Sequence, residues 1–181
     1  MRLKTLIKGC KKQNKDAQEE LYRKYSSQLF GICLKYSRNK QEAEDNLQEA
    51  LITIFNKIEQ FKNKGSFEGW MKRITVNTVL QTYRKIELYE IVDEEKIQAP
   101  DLTAPQETFQ LGFLLKTIQN LPDRYRLAFN LYVLDGLTHR EIAGILNISE
   151  GTSKSNLSRA RKILQKELKQ KRQPELISSA L

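Results

Sequence analysis

The sequence predicts an all-α protein: two small helical domains joined by an acidic linker, the C-terminal one containing a helix-turn-helix. Three observations carry that prediction. Glycine and proline are sparse, eight and four in 181 residues, and 29% of the chain is charged, a composition that favours helices over sheets. Charge is partitioned along the chain: residues up to Ile86 carry a net +9, whereas 87–107 hold seven acids against one lysine, with Pro100 and Pro105 near the end. Finally, Thr138 to Leu168, THREIAGILNISEGTSKSNLSRARKILQKEL, has the signals of two helices around a tight turn. The expected divisions are an N-terminal domain 1–86, a linker 87–106, a C-terminal domain 107–172 and a disordered tail 173–181.

The elements follow in order. Leu3, Leu6 and Ile7 suit a short amphipathic helix ended by Gly9. Asp16 is expected to cap a second helix, whose apolar residues from Leu21 to Tyr36 keep a helical period to about Ser37. RNKQ reads as a turn. A third helix from Glu42 to Phe61 buries Ala43, Leu47, Ala50, Leu51, Ile54, Phe55 and Ile58; its acidic first turns suit the helix dipole. After the loop KNKGS, Ser66 caps a fourth helix that runs to Lys85. Beyond the linker, Phe109, Phe113, Leu114, Ile118 and Leu121 share one helix, and Pro122 suits the first turn of the next, which Gly136 ends. Thr138 and Glu141 form a capping box. Asn147 tolerates the left-handed turn, Ile148 drops back into the core, and Ser149 caps the last helix.

Composition bounds the function. A net charge of +9 suits a polyanionic partner, nucleic acid being the commonest. Cys10 and Cys33 lack CxxC spacing and His139 is the single histidine, so neither a disulfide framework nor a zinc site is expected, and the chain reads as cytosolic. MRLKTLIKGCKKQNKD has no apolar run suited to a signal peptide, and nothing approaches the roughly 20 apolar residues of a membrane span. A Gly-rich phosphate loop, a nucleophile paired with histidine and an HExxH motif are all lacking. No enzyme, cofactor or metal is expected.

Two surfaces carry chemistry. From Ser149 to Arg172 eight Lys or Arg stand against Glu150 and Glu167, a net +6. The exposed face of that helix is expected to carry Lys154, Ser155, Asn156, Arg159, Arg161 and Lys162. A basic second helix after a tight turn fits the major groove of DNA; a helical hairpin with a solvated charged face is the plainer alternative. Around the fourth helix, Lys62, Lys64, Lys72, Arg73, Arg84 and Lys85 surround Phe61, Phe67, Trp70, Asn77 and Tyr83. Basic residues mixed with aromatics suit single-stranded nucleic acid, since rings stack on unpaired bases at about 1–3 kcal/mol each. Taken singly, Phe67 and Trp70 read better as core, and Asn77 has a buried structural amide as its alternative.

Three blocks in order, AEDNLQEALITIF, QFKNKGSFEGWMKRITVN and LPDRYRLAFNLYVLDGLTHREIAGILNISEGTSKSNLSRARKIL, resemble the extracytoplasmic-function (ECF) sigma factors of bacterial RNA polymerase, in the sigma-70 family. The resemblance covers nearly the whole chain, residues 5 to 168. It implies a non-enzymatic subunit that binds core polymerase and directs promoter-specific initiation. It implies that Asp45, Leu47, Gln48 and Glu49 meet the clamp helices of the largest polymerase subunit. Phe61, Lys64, Trp70, Arg73, Asn77, Arg84 and Lys85 would handle the melted −10 element: Asn77 lining a pocket for a flipped base, Phe61 stacking or wedging, Arg73, Arg84 and Lys85 holding phosphates. Lys154, Ser155, Asn156, Arg159 and Arg161 would meet the −35 duplex, and the linker would thread toward the RNA exit path. The implied partners are core polymerase (its clamp helices and the flap of the second subunit), promoter DNA and an anti-sigma factor, without membrane insertion.

Two positions depart from the family's pattern. Ser153 stands where valine usually follows Gly-Thr, and its hydroxyl is expected to bond back to the Ser149 carbonyl. Asn156 stands where arginine is frequent and offers an amide able to read adenine. Two other function classes fit less well. A stand-alone dimeric regulator of duplex DNA leaves Asp45 to Glu49 and the aromatic loop unexplained. A helical adaptor that binds no DNA leaves the +6 helix unexplained.

Overall fold

Every segment expected to be helical is helical in the computed structural model, which describes residues 2–86 and 106–178, with the backbone alone described at 84–86, 106–111 and 170–178. Eight α-helices and no strand occur among the described residues. They fall in two units, Met1–Tyr89 and Glu90–Leu181. The first holds α1 (Leu3–Lys11), α2 (Lys15–Tyr36), α3 (Lys40–Lys57) and α4 (Phe67–Ile86); the second holds α5 (Gln106–Gln119), α6 (Asp123–Phe129), α7 (His139–Leu146) and α8 (Glu150–Ser178). The expected acidic linker, apart from Gln106, lies outside the described residues.

In the first unit α2 is the central element, because Ala17, Leu21, Tyr25, Leu29, Cys33 and Tyr36 recur every three or four residues and make one buried stripe. Leu6, Ile7 and Cys10 of α1, Leu51 and Ile54 of α3, and Phe67 and Met71 of α4 close over it. Gly9 does not end α1. It sits where α1 crosses α2, and a Cβ there would stand 2.6 Å from the Cβ of Ala17, so hydrogen is what lets the helices approach. Asn14, not Asp16, caps α2, its Oδ1 accepting from the Ala17 N–H at 2.9 Å. Asp16 falls in the first turn, where its charge faces the dipole. α3 begins at Lys40, earlier than expected, because Asn39 Oδ1 takes the Glu42 N–H at 2.8 Å. It ends at Lys57, and a 3₁₀ turn, Ile58–Gln60, carries the chain to Phe61. Ser66 caps α4 as expected, accepting from the Gly69 N–H at 3.3 Å. Both thiols are buried and free. Burial pushes Cys33 up to about 12, and burial, then Glu20, raises Cys10.

In the second unit Ile118, Leu121, Tyr125, Ala160 and Leu164 form the core that joins α5, α6 and α8. Leu121 lies just past the end of α5, and Pro122 is the N-cap of α6 rather than a residue of its first turn. α6 passes into a π turn, Asn130–Leu134, and Gly136, at φ +70°, lets the chain reverse into α7. Arg126, 1% exposed, runs through this core: its guanidinium donates to the Gln119 and Leu121 carbonyls at 3.2 and 2.8 Å and to Asp123 Oδ1 at 2.5 Å. The segment from Gln173, expected to be disordered, continues α8 to Ser178 and past Pro174. Gln173, Glu175 and Leu176 in that stretch are good helix formers.

Candidate functional site

Three exposed surfaces carry the residues singled out from the sequence. The first lies on α3. Asp45, Gln48 and Glu49 are exposed, and Leu47 is half-buried, packed against the core. Between them Asn46 is 4% exposed: its Nδ2 donates to Ser37 Oγ at 3.0 Å, and its Oδ1 accepts from Thr82 Oγ1 at 3.3 Å. That buried amide ties α3 to the end of α2 and to α4, so the acidic face is held in register with the helix that follows. The sequence reading missed Ile52, which is 54% exposed. Its spacing from Gln48 and Glu49 puts it on their face, and that spacing was the available signal.

The second surface surrounds the start of α4. Lys62, Lys64, Lys72, Arg73 and Asn77 are exposed, and the four-residue spacing of Arg73 and Asn77 puts them on one face. Asn77 is therefore not a buried structural amide. Arg84 and Lys85 lie on α4, but their side chains lie outside the described residues. Phe61 does not stand free as a wedge. It is 4% exposed and meets Phe67 edge-on at 5.0 Å and Trp70 at 5.5 Å, while Phe67 and Trp70 stack at 5.7 Å. Burying that ring gains more than holding it in water. Phe67 is likewise core and Trp70 is half-buried. Lys11 was missed: its Nζ donates to the Phe61 carbonyl at 3.0 Å, so α1 pins the base of the lysine loop.

The third surface is α8, presented by the turn before it. Thr138 Oγ1 accepts from the Glu141 N–H, and Glu141 Oε2 accepts from the Thr138 N–H at 2.8 Å, closing the capping box. Asn147 is left-handed at φ 56°, and Ser149 Oγ accepts from the Thr152 N–H at 2.9 Å. Ile148 is half-buried. Lys154, Ser155, Ser158, Arg159, Arg161 and Lys162 are exposed. Asn156 is not: at 5% exposure it belongs to the buried stripe of Ser153, Leu157, Ala160 and Leu164, so its amide is withheld from any base edge. Ser153 is buried as expected but bonds elsewhere. The Ser149 carbonyl already accepts the Ser153 N–H at 3.0 Å, and the hydroxyl pairs with His139 Nδ1 at 3.0 Å across α7 and α8. His139 in turn stacks on Tyr132 at 4.6 Å. Among the described residues no group of three or more metal-ligating side chains occurs, and no helix is long and apolar enough to cross a membrane.

Two bonds from Thr138, the backbone N–H first and the hydroxyl second, hold the Glu141 carboxyl below its ordinary range. A depressed folded-state value adds stability that is complete above the ordinary carboxylate range and lost as pH falls through the lowered value. Thermal midpoints measured across that range should therefore separate wild type from Glu141→Gln at neutral pH and converge in acid. A constant gap would show that charge is not what matters at this cap.

A family model for sigma-70 region 2 matches residues 21–87, and one for sigma-70 region 4 matches residues 114–164. The chain is 32% identical to the ECF RNA polymerase sigma factor SigW of Bacillus subtilis (strain 168), over 93% of this chain and 98% of that protein. The chain belongs to the ECF sigma factor family. This ECF sigma factor is also 27% identical to the ECF RNA polymerase sigma-E factor of Escherichia coli (strain K12), over 88% of its own length and 90% of that protein's. Its fold resembles that of the sigma factor RpoE of Bartonella quintana, solved in complex with the anti-sigma factor NepR, with a TM-score of 0.51 and 22% identity, covering 83% of this chain and 96% of that one. As a member of the family the sigma factor directs transcription initiation, and the relatives it matches are sigma factors rather than enzymes. The region 2 match contains the first two surfaces and the region 4 match the third.

Proposed function

We propose that this sigma factor docks on core RNA polymerase through Asp45, Gln48, Glu49 and Ile52, captures the melted −10 strand on α4, and reads the −35 duplex with α8. Its unit boundaries would follow the sequence: 1–86 for docking and −10 recognition, 107–172 for −35 recognition. The observation that carries this reading is the pairing of Arg73 and Asn77, both exposed on one face of α4 beside the lysine loop. A guanidinium for phosphate next to an amide with donor and acceptor is the equipment for holding a strand and reading an extruded base. Leu47 supports the docking turn from below, and Trp70 supports the loop. Lys154, Ser155, Arg159, Arg161 and Lys162 would contact the duplex, with Ser158 between them. The Bartonella relative's anti-sigma complex supports an anti-sigma partner here also, in the cytoplasm where polymerase works.

The docking assignment is tested by pull-down with core polymerase. Gln48→Ala with Glu49→Ala should weaken assembly by at least tenfold, two charge-assisted or polar contacts at about 1 kcal/mol each, with helical content unchanged. Assembly at wild-type affinity would remove this face from the interface. A stand-alone duplex regulator would not co-purify with core in equal stoichiometry at all.

A further inference from the structure

α8 presents Arg159 at the edge of its buried stripe, and there it meets α6. Arg159 Nη1 donates to the phenolic oxygen of Tyr125 at 3.0 Å. Tyr125 is 6% exposed and packed with Ile118, Leu121, Ala160 and Leu164, so its oxygen is a fixed acceptor. The ring face contributes less: Arg159 Cζ lies 5.8 Å from the ring centroid, near the outer limit of about 6 Å for a cation over a ring. An exposed arginine ordinarily samples many rotamers and loses that freedom when it binds. Here the Tyr125 oxygen already engages one N–H of the guanidinium, and it is the orientation of that fork that two parallel bonds to a guanine edge depend on.

We infer that Tyr125 is a positioning residue for promoter reading, its hydroxyl holding the Arg159 guanidinium in the orientation that meets a −35 base edge. The inference rests on the assignment of Arg159 to the −35 duplex. Tyr125 itself touches no DNA in this arrangement and acts through the arginine, by lowering the ordering that binding requires. Tyr125→Phe removes one oxygen and keeps the ring in the core, which isolates the hydrogen bond.

The test is a double-mutant cycle on reconstituted holoenzyme. Wild-type holoenzyme first selects a duplex from a pool randomised across the −35 region. The selected duplex and its single-base variants are then bound by holoenzymes carrying wild type, Tyr125→Phe, Arg159→Ala and both changes. Tyr125→Phe should cut discrimination at one base position about fivefold, leave binding to random duplex and the melting temperature unchanged, and add nothing in the Arg159→Ala background. Equal loss on every duplex, equal loss in both backgrounds, or no loss would overturn the positioning role. Unchanged discrimination in Arg159→Ala alone would instead defeat the −35 assignment beneath it, so the two failures are separable.

Discussion

Arg126→Ala is expected to unfold the second unit near room temperature or leave it marginal. The guanidinium is 1% exposed and binds two backbone carbonyls and Asp123. Removing it leaves those acceptors without their donor and opens a cavity under α6, and breaking a buried pair from one side costs about 3–5 kcal/mol. That is a large share of the 5–15 kcal/mol typical of a whole protein. Asp123, whose side chain is 19% exposed, can take water in the variant, which sets the loss toward the lower end. Arg126→Lys keeps the charge but not the planar fork, and should recover only part. Urea unfolding followed by circular dichroism would show an early transition, with duplex binding lost and core assembly retained. A shift of less than about 1 kcal/mol would mean that the network contributes little more than an ordinary hydrogen bond.

Asn77→Ala is expected to produce a folded sigma factor that assembles with core and binds the −35 duplex yet fails to open promoters, or opens them with relaxed preference at one −10 position. The side chain is exposed on α4 and four residues beyond the exposed Arg73, so its loss disturbs no core contact. A base edge read by two hydrogen bonds is worth about 1–3 kcal/mol of discrimination, or roughly one to two orders of magnitude in occupancy of the open complex. Permanganate footprinting on promoters varied base by base would measure it. Unchanged opening and unchanged preference would take Asn77 out of the site.

What was legible in the sequence was local. The Thr138–Glu141 box, the left-handed Asn147 and the caps at Ser66 and Ser149 depend on partners within four residues, so chemistry and spacing fix them together. The apolar periods of α2 and α3 gave their buried stripes. What was hidden depended on distant partners or on a residue type in an unusual setting. Ser153 finds His139 fourteen residues earlier, on another helix. Arg126 is charged and buried, against the default for arginine, and nothing around LPDRYR announces that three oxygens wait for it. Asn156 could have been placed from its spacing to Ser153 and Ala160, but its polarity argued for the surface. Phe61 sits beside a lysine loop that suggested exposure, and the aromatic partners that bury it come from the next helix. Ile52 is a different case: an apolar residue that falls outside the expected buried set of its helix and is 54% exposed, and what the sequence reading missed was its place on the face of Gln48 and Glu49.

The aromatic cluster has an optical consequence. Trp70 is the single tryptophan in the chain, and it lies stacked on Phe67 at the start of α4, in the first unit. The seven tyrosines are divided between the two. Emission excited at the red edge therefore comes from the first unit alone and stays blind to events in the second, while tyrosine and circular dichroism see both. Because the indole borders the loop that Lys11 pins, it would also register that loop's contact with a nucleobase. The molecule carries its own dye on one half, and melting of the two halves can be told apart by colour in a single cuvette.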